Sequence, residues 1–369
     1  MTTINHEQDK IAHALAAIFG VINSSAQFSD LLIVADEPIM LRNASGWFKY
    51  EADPYTRDDV EYILQTMEPN WESILPKGGF SRPFILNPWR LRITAGLASR
   101  GTKQVLSIRR TPIIPIPLSK SGLPAQIRLM VDNPKGIVLL SGATGAGKTT
   151  TLAALVDCIN ASRNAHIVTI EDPIEYEFVP NKSIFTQQEV GVDTPSFSEA
   201  VRGAMRQRPD VIVIGEIRDR DTAENAILAG ESGHLVIATL HASSCYGAIQ
   251  KLVQFFPGEE ESKLAALSYS LMGVVNQSII PGTDKESGVV ATELLFNHDQ
   301  QFAGMLSEAS KVNSIIETAS DGVCRSMASS LAELVHAGRI TKSDAFRSVA
   351  GQGAVFRQLQ TRLTSPANA

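Results

Sequence analysis

The sequence predicts an α/β protein in which a parallel-sheet domain follows a smaller α+β domain. Three observations support this prediction. Continuous apolar runs alternate with helical patterns through the middle of the chain, as in a parallel sheet covered on both faces. A glycine-rich loop joins the first of those runs to its helix. Before residue 111 the runs are shorter and are separated by turn residues, which indicates antiparallel sheet.

Residues 1–111 are predicted to form the α+β domain. Apolar residues from Ile11 to Ile22 follow helical spacing and indicate an amphipathic helix within 1–27. A second helix is expected over Asp58–Met67. Strands are expected at Leu31–Val34, Ile39–Leu41, Trp47–Tyr50, Phe84–Leu86, Trp89–Ile93 and Gln104–Ile108. Residues 112–121 are rich in proline and are interpreted as a stiff linker.

The second domain is predicted to occupy 122–351. A helix from Gly122 to about Val131 precedes strands at Ile137–Ser141, Ile167–Glu171, Val211–Gly215 and Leu235–Leu240, with a capped helix from Ser196. After Gln254 the pattern is mainly helical, with one stripe running from Leu264 to Val275 and a single strand at Val289–Phe296. Residues 352–369 are interpreted as a tail that need not be ordered.

Charge is distributed unevenly along the chain. The net charge of the 369 residues is −6, yet the segment from Ser73 to Val131 contains ten Lys or Arg and no Asp or Glu. This asymmetry indicates a polyanionic partner such as nucleic acid, a membrane surface or the phosphates bound by another subunit. The three cysteines are far apart and contain no C-x-x-C pair, which argues against a zinc site.

The glycine-rich loop is the most informative motif. Residues Gly142–Thr149 fit G-x-x-x-x-G-K-[ST] and lie between a predicted strand and a predicted helix. Backbone N–H groups and the helix N-terminus would bind phosphates, and Lys148 would reach the β and γ phosphates of ATP. The Thr149 hydroxyl would help to hold Mg²⁺. The predicted nucleotide-binding residues are Gly142, Thr144, Gly145, Ala146, Gly147, Lys148, Thr149 and Thr150.

Acidic residues follow two of the other predicted strands. Glu216 stands just beyond Val211–Gly215, where a Walker B carboxylate would polarise the attacking water or contact Mg²⁺; Gly215 occupies the usual aspartate position. The stretch from Glu171 to Glu175 carries three carboxylates at the end of the preceding strand. It is either a solvated acidic turn or a site that activates water, with Glu175 the first choice.

His234 and His241 bracket the strand Leu235–Leu240. They lie seven residues apart, so on one strand they would face opposite sides. His241 is at the carboxyl end, near the expected γ-phosphate, and is predicted to be functional, although a lone histidine is commonly a core residue. His234 is at the other end and is interpreted as a structural or intersubunit residue.

The arginines of the basic segment have two interpretations. Arg90 and Arg92 would share a strand face, Arg109 and Arg110 close the next strand, and none has a neighbouring acid in the sequence. They could be supplied to the ATP site of a neighbouring subunit, as arginine fingers are, or they could line a nucleic-acid groove. Aromatic residues are sparse in the segment, which favours the first interpretation.

Taken together, these motifs resemble those of the secretion-type traffic ATPases, which include type II and type IV secretion motors and pilus retraction motors. The resemblance covers about Ser29 to Ala350 and depends on four boxes in order. These are Gly142–Thr149 (Walker A), Thr169–Glu175 (Asp box), Asp210–Asp219 (Walker B) and Glu231–His241 (His box). The chain looks most similar to DotB-like type IVB secretion ATPases and TraJ-like conjugation ATPases.

The resemblance implies a fold, a ligand and partners. It implies a PAS-like N-terminal domain before a RecA-like domain with a helical C-terminal part, ATP and Mg²⁺ bound between the two domains, and a homohexamer. By motif position the catalytic acids would be Glu175 and Glu216, and His241 lies in the His box. The arginines supplied in trans would be Arg92 and either Arg109 or Arg110, with Arg100 an alternative; Arg202 and Arg206 match arginines on the family's helix before Walker B. Thr149 and Glu216 would serve the metal.

The same resemblance gives an expected function: a cytoplasmic motor, docked on inner-membrane secretion or conjugation proteins, that converts ATP hydrolysis into domain motion. Two departures stand out. The family's Ser-Asp-Leu-His appears as Ser29-Asp30-Leu31-Leu32, and the retraction motors' Ala-Ile-Arg-Asn-Leu-Ile-Arg-Glu has no counterpart between Phe296 and Ser314. A pilus retraction motor, a nucleic-acid translocase and a docking module that binds ATP without hydrolysing it remain as alternatives; direct nucleic-acid binding is disfavoured.

Overall fold

The computed structural model describes residues 16, 18–297, 305–318 and 322–364. The chain divides into two compact units. The first is Met1–Ile113 with Asp284–Gly288, and the second is Ile114–Thr283 with Val289–Ala369. Ile11 and Leu15 of the expected N-terminal helix lie outside the described residues, whereas residues 18–22 are helical.

The first unit is built on a six-stranded antiparallel sheet in the order β3-β2-β1-β6-β5-β4. Its strands are β1 (Asp30–Val34), β2 (Met40–Asn43), β3 (Gly46–Lys49), β4 (Phe80–Leu86), β5 (Trp89–Ala98) and β6 (Lys103–Pro112), and its helices are α1 (Arg57–Met67) and α2 (Trp71–Ile74). Thr56 and Asp59 form a capping box at the start of α1.

Among the residues that the structure describes, one face of this sheet is buried and the other is exposed. In β5, Leu91, Ile93 and Ala95 are buried, whereas Arg92 and Thr94 between them are exposed. This period of two is typical of an antiparallel sheet with one solvated face. The buried face packs on α1 and on Ile18 and Ile22. The exposed face is therefore free to present arginines.

The second unit contains a seven-stranded sheet in the order β13-β12-β7-β11-β10-β8-β9. The neighbouring strands from β12 to β9 run parallel. The strands are β7 (Gly136–Ser141), β8 (His166–Glu171), β9 (Ile184–Glu189), β10 (Val211–Ile214), β11 (Leu235–Leu240), β12 (Leu271–Pro281) and β13 (Gly288–Phe296). The carboxyl ends of β7, β11, β10 and β8 are therefore adjacent, where ligands bind in open α/β sheets.

Helices surround this sheet. They are α3 (Leu129–Asp132), α4 (Lys148–Ser162), α5 (Phe197–Met205), α6 (Arg220–Glu231), α7 (Cys245–Val253), α8 (Glu260–Ser270), α9 (Ala309–Thr318), α10 (Met327–His336), α11 (Lys342–Ser348) and α12 (Gly353–Thr364). Each face of the sheet has its own core: Ile212 and Ile214 of β10 pack on one side, and Val211 and Val213 on the other. The predicted α/β class with a preceding α+β domain is confirmed.

Three local predictions are wrong. The stripe from Leu264 to Val275 does not belong to one helix: α8 ends at Ser270 and β12 follows at once. A strand buried on both faces is apolar almost continuously, so its spacing also satisfies a helical stripe. Strand β9 was not expected because Ile184–Glu189 ends in polar residues, as suits the edge of a sheet. The helix expected from Gly122 is mainly a 3₁₀ turn, with only Leu129–Asp132 α-helical.

The tail also differs from its prediction. Residues 353–364 form α12, and Leu359 is fully buried against a core that includes Met327 and Leu331. The apolar positions Val355, Leu359 and Leu363 recur every four residues, so the helix has one apolar face. Burial of that face orders the segment. Residues 365–369 lie outside the described residues.

Candidate active site

The glycine-rich loop connects β7 to α4 in the expected way, with β7 ending at Ser141 and α4 beginning at Lys148. Gly147 precedes the helix with a φ of 82°, in the left-handed region that favours glycine. A Cβ on Gly142 would lie 2.5 Å from the backbone oxygen of Gln277, so only glycine allows this approach. The N-terminus of a 15-residue helix thus points into a loop of backbone N–H groups, which is a phosphate-binding arrangement.

Within the loop, Ala146 and Lys148 are buried, Thr149 and Thr150 are half-buried, and Thr144 and Gly145 are exposed. The Lys148 ammonium donates to the carbonyl oxygens of Gly142 (2.9 Å) and Ala143 (3.1 Å). Burial lowers the pKa of Lys148, and the nearby Glu216 charge opposes that shift. A phosphate would give this ammonium a stronger, charged acceptor than two carbonyls.

Glu216 lies two residues beyond β10, at the carboxyl edge of the sheet. Its Oε1 is 3.1 Å from Nε2 of His241, and its Oε2 accepts from Nε of Arg218 at 2.9 Å. Arg218 also lies 3.4 Å from Oδ2 of Asp172. The N–H of Ile217 donates to the backbone oxygen of Thr239 and fixes this turn to β11. Polar and charged groups from three strand ends therefore form one connected row.

The two histidines have different surroundings. His241 is exposed, follows β11 and has its Nδ1 3.3 Å from Nζ of Lys148, so it stands between Lys148 and Glu216. The Thr239 hydroxyl donates to the Gly215 carbonyl at 2.5 Å. His234, at the other end of the strand, has its Nδ1 3.1 Å from the Ala229 carbonyl oxygen. The structure brings His241 to the predicted site and leaves His234 with a local contact.

The two glutamates of the Asp box are also unlike each other. Glu171 is 5% exposed, and its carboxylate accepts from the Thr169 hydroxyl (2.8 Å), the Gln187 amide (3.4 Å) and the Glu175 N–H (3.4 Å). Burial raises the pKa of Glu171, and these hydrogen bonds oppose the shift. The half-buried carboxylate of Glu175 makes no hydrogen bond or ion pair to any described residue. Glu175 is thus the carboxylate available for chemistry.

Arg92 and Arg109 are direct cross-strand partners on the exposed face of the first unit. Although no acid neighbours Arg109 in the sequence, its Nε donates to Asp30 Oδ1 at 2.9 Å. Asp30 is 79 residues away in sequence and is brought close by the pairing of β1 with β6. Sequence neighbours could not indicate this contact. Arg100 lies exposed in the turn between β5 and β6.

Arg110 has a structural role, which corrects its prediction as an arginine supplied to a neighbouring subunit. Its guanidinium donates to the carbonyls of Ile22 (2.5 Å), Ala26 (3.2 Å) and Phe28 (3.0 Å). It also stacks 3.7 Å from the Phe28 ring centroid and 4.3 Å from that of Trp89. Burial lowers its pKa to about 10. These donors are engaged inside the first unit.

Several residues of the site receive no individual role from the sequence. Gln187 of β9 and Arg218 are bonded to the acidic residues described above. Tyr176 is almost fully buried, and its hydroxyl lies 3.0 Å from the hydroxyl of Thr150. Arg218 follows Glu216 by two residues, a proximity that could have suggested the ion pair. Arg202 and Arg206, on and just after α5, are exposed.

Among the residues that the structure describes, no group of three or more His, Cys, Asp or Glu side chains is arranged to hold a metal ion. Mg²⁺ commonly uses one or two protein oxygens and completes its shell with phosphates and water. Thr149 and Glu216 offer such oxygens beside the P-loop, so these residues fit a metal that arrives with a nucleotide. No helix in the described ranges is long and apolar enough to cross a membrane.

Comparison with known proteins identifies the family. Residues 113–340 match the family described as "Type II/IV secretion system protein". The chain belongs to this family. It is 36% identical over 263 residues to the twitching motility protein of Neisseria gonorrhoeae, covering 71% of this chain and 70% of that protein. It is also 36% identical over 259 residues to the type IV pilus retraction ATPase PilT of Pseudomonas aeruginosa, covering 68% and 74%.

Solved structures of this family extend the similarity to the first unit. The ATPase DotB of Legionella pneumophila matches 93% of this chain and 94% of its own, with a TM-score of 0.77 and 25% identity. The pilus retraction motor PilT with bound ADP matches 92% and 99%, with a TM-score of 0.74 and 30% identity. The second unit therefore has the RecA-like fold, and the chain is a traffic ATPase of the pilus and secretion type.

Proposed function

We propose that this chain is a homohexameric motor that couples ATP hydrolysis to domain motion in a type IVB secretion or conjugative transfer machine. The observation that supports it most is the connected row of Lys148, His241, Glu216 and Arg218 beside the P-loop. These groups place positive and negative charges where a phosphoryl group and an attacking water would meet. Because phosphoryl transfer depends on positioning and electrostatics, such an arrangement can supply most of the catalysis.

The nucleotide would be held by residues 142–150. Backbone N–H groups of the loop would surround the phosphates, and Lys148 would exchange its carbonyl contacts for the β and γ phosphates. Thr149 and Glu216 would serve Mg²⁺, which shields the phosphate charge when it is bound. Gly142 lets the start of the loop lie against β12, because a Cβ there would come within 2.5 Å of the Gln277 backbone oxygen.

Water activation would fall to Glu216 and Glu175. Glu216 is held from two sides by His241 and Arg218, so its carboxylate has a defined direction. Glu175 is half-buried and its carboxylate has no bonded partner in the described chain, so it can contact water or substrate. We assign the general-base role to this pair, with His241 orienting Glu216.

The ring would be required because part of the site comes from a neighbouring subunit. Arg92 and Arg109 form an exposed pair on the first unit, with Arg100 a further candidate. Asp30 binds Arg109 through Nε, which leaves the two terminal nitrogens of its guanidinium for phosphate oxygens. We propose Arg92 and Arg109 as the arginines supplied to the next subunit, and exclude Arg110.

The DotB likeness over nearly the whole chain supports a secretion or conjugation machine, and the motor would act in the cytoplasm, docked on inner-membrane proteins of that machine. A pilus retraction motor is the second candidate. The 36% identity to PilT of Pseudomonas aeruginosa favours it, while the missing Ala-Ile-Arg-Asn-Leu-Ile-Arg-Glu segment counts against it.

A nucleic-acid translocase is less well supported. Arg82 pairs with Glu68, Lys103 with Glu37 and Arg109 with Asp30, so acids from elsewhere in the first unit neutralise part of the basic segment. Nucleic-acid binding by this segment would weaken steeply with salt and would accelerate turnover. DNA that leaves turnover unchanged at low salt would exclude it.

The proposal is tested by measuring ATP turnover per chain against protein concentration and then mixing two inactive variants. Lys148→Ala removes the nucleotide-binding lysine and Arg92→Ala removes the arginine supplied in trans. A shared site predicts that turnover rises steeply with concentration and that the mixture regains activity, because some interfaces combine an intact P-loop with an intact Arg92. Flat turnover and no recovery would contradict the ring.

A further inference from the structure

Gln277 touches both ends of the P-loop. It lies in β12, next to β7, and is 1% exposed. Its Nε2 donates to the Ala146 carbonyl at 2.5 Å, near the end of the loop. Its backbone oxygen packs against Gly142 at the start of the loop. A Cβ on Gly142 would be only 2.5 Å from that oxygen. No other residue described above makes both contacts.

The preceding residue extends the contact to the rest of the site. Asn276 accepts from the Ser141 hydroxyl at 3.1 Å and donates to the Ser243 carbonyl at 3.2 Å. Ser141 is the last residue of β7, and Ser243 lies two residues beyond His241. The Asn276–Gln277 pair therefore joins the P-loop to the loop that carries His241.

The Gln277 amide is not explained by core stability. Its Oε1 is buried and has no hydrogen-bond partner within the described part of the chain. A buried acceptor without a donor is unfavourable compared with an apolar side chain of similar size. A methionine or leucine at this position would pack without that defect. The contribution of the Gln277 side chain is therefore the hydrogen bond that its Nε2 donates to the Ala146 carbonyl.

We propose that Gln277 is a positioning residue for the P-loop. A peptide unit is planar, with its C=O and N–H on opposite sides. By holding the Ala146 carbonyl, Gln277 also sets the direction of the Gly147 N–H and keeps it available to a phosphate. A rotated peptide would instead present the carbonyl oxygen, which repels phosphate. This inference rests on nucleotide binding at the P-loop, as proposed above.

The test is Gln277→Met, which keeps the length of the side chain and removes both amide atoms. We expect the Kd for ATP and for ADP, measured by calorimetric titration, to rise at least about tenfold. The KM should rise in parallel, with kcat within about threefold of wild type because the groups around Glu216 are unchanged. The melting temperature without nucleotide should change by no more than about 2 °C, because removal of the unpaired Oε1 offsets the loss of the donor to the Ala146 carbonyl. A purely structural role would lower affinity and melting temperature together.

Thr292→Val is the matched control. Thr292 lies on the neighbouring strand β13, is 1% exposed and also has a buried oxygen without a described partner. Its replacement should leave the melting temperature equal or higher, with the Kd for ATP unchanged. Gln277→Glu provides a second variant, since it sets a carboxylate oxygen against the Ala146 carbonyl and should weaken ATP binding further.

Wild-type affinity in both Gln277 variants would overturn the inference, as would a loss of affinity matched by a loss of thermal stability. Binding by the wild-type chain and its loss in Lys148→Ala test the proposed function separately. Failure of that first comparison would refute nucleotide binding at the P-loop itself, whereas failure of the Gln277 variants alone would refute only the role of Gln277.

Discussion

Glu216 and His241 meet through Oε1 and Nε2 at 3.1 Å, while Nδ1 of the same ring lies 3.3 Å from Nζ of Lys148. An ammonium can only donate, so Nδ1 accepts and the ring proton belongs on Nε2, where it is donated to Glu216. One imidazole thereby links the P-loop lysine to the carboxylate proposed to activate water, and it contacts both.

His241→Ala should therefore slow hydrolysis more than it weakens binding. We expect kcat to fall by about 10- to 100-fold, because the carboxylate loses one of its two supports, with the Kd for ATP within about threefold. Coupled ATPase assays and titration with ATP measure these quantities. His234→Ala, at the opposite end of the same strand, is the control and should retain kcat. An equal loss in both variants would show a general effect on β11.

Glu216→Gln should separate binding from hydrolysis. The amide keeps the size of the side chain but cannot act as a base, so kcat should fall at least about 100-fold while ATP still binds. Single-turnover assays with excess protein check this. Glu231→Gln, an exposed residue at the end of α6, should behave as wild type. Normal turnover in Glu216→Gln would remove that carboxylate from the mechanism.

Lysine substitutions at Arg109 and Arg110 should affect different properties: the first should reduce ATP turnover, and the second should reduce the stability of the first unit. Arg110→Lys loses carbonyl hydrogen bonds and stacking on two rings, so the first unit should lose about 2–4 kcal/mol of unfolding free energy. Arg109→Lys should cost at most about 1 kcal/mol, since Arg109 is exposed and lysine keeps a positive charge beside the buried Asp30, but it should abolish most turnover. All three tryptophans lie in the first unit, so their fluorescence during urea unfolding reports its stability. Equal stability of the two variants would contradict this assignment.

The buried carboxylate of Glu293 should make the stability of the chain depend on pH. Its carboxylate is 7% exposed in β13 and accepts from the N–H of Cys245 at 2.6 Å. Burial raises its pKa above the ordinary value of 4.5, and the hydrogen bond from Cys245 opposes the shift. The folded chain therefore binds this proton more tightly than the unfolded chain, and the contribution to stability falls as the pH rises from about 4.5 through the raised pKa.

Glu293→Gln keeps an acceptor for Cys245 and removes the charge. It should have a higher unfolding free energy than wild type above pH 7, with the difference shrinking as the pH is lowered toward 5. Urea unfolding at several pH values measures this. Glu261→Gln, an exposed substitution in α8, should follow the wild-type profile. If the difference in unfolding free energy between Glu293→Gln and wild type grew on acidification, the raised pKa of Glu293 would be contradicted.

Much of the second unit could be predicted because its signals are local. A glycine-rich turn between a strand and a helix, and carboxylates just after apolar strands, identified Lys148 and Glu216 without any long-range information. The contacts that were missed join distant parts of the chain. Gln277 is 131 residues from Ala146, and Arg218 is 46 residues from Asp172. Such contacts depend on the order of the strands in the sheet, and strand order cannot be predicted from local periodicity.

The two adjacent arginines show the same limit at a smaller scale. The sequence places Arg109 and Arg110 at the end of a strand but does not reveal which faces the core. That choice depends on the pairing of β6 with β1 and β5, which sets Arg109 opposite Asp30 and Arg92. The helical stripe predicted over the start of β12 is wrong because a largely buried strand is apolar almost continuously and satisfies either periodicity.

The opposite directions of Arg109 and Arg110 constrain how this hairpin can change over evolutionary time. Sliding β6 by one residue would exchange their faces, setting the solvent-facing guanidinium in the core and stripping three carbonyls of their donor. Insertions or deletions that shift β6 along β5 are therefore tolerable only in steps of two. Related chains that differ in the length of this strand should preserve the parity of the arginine position even where its sequence number is lost.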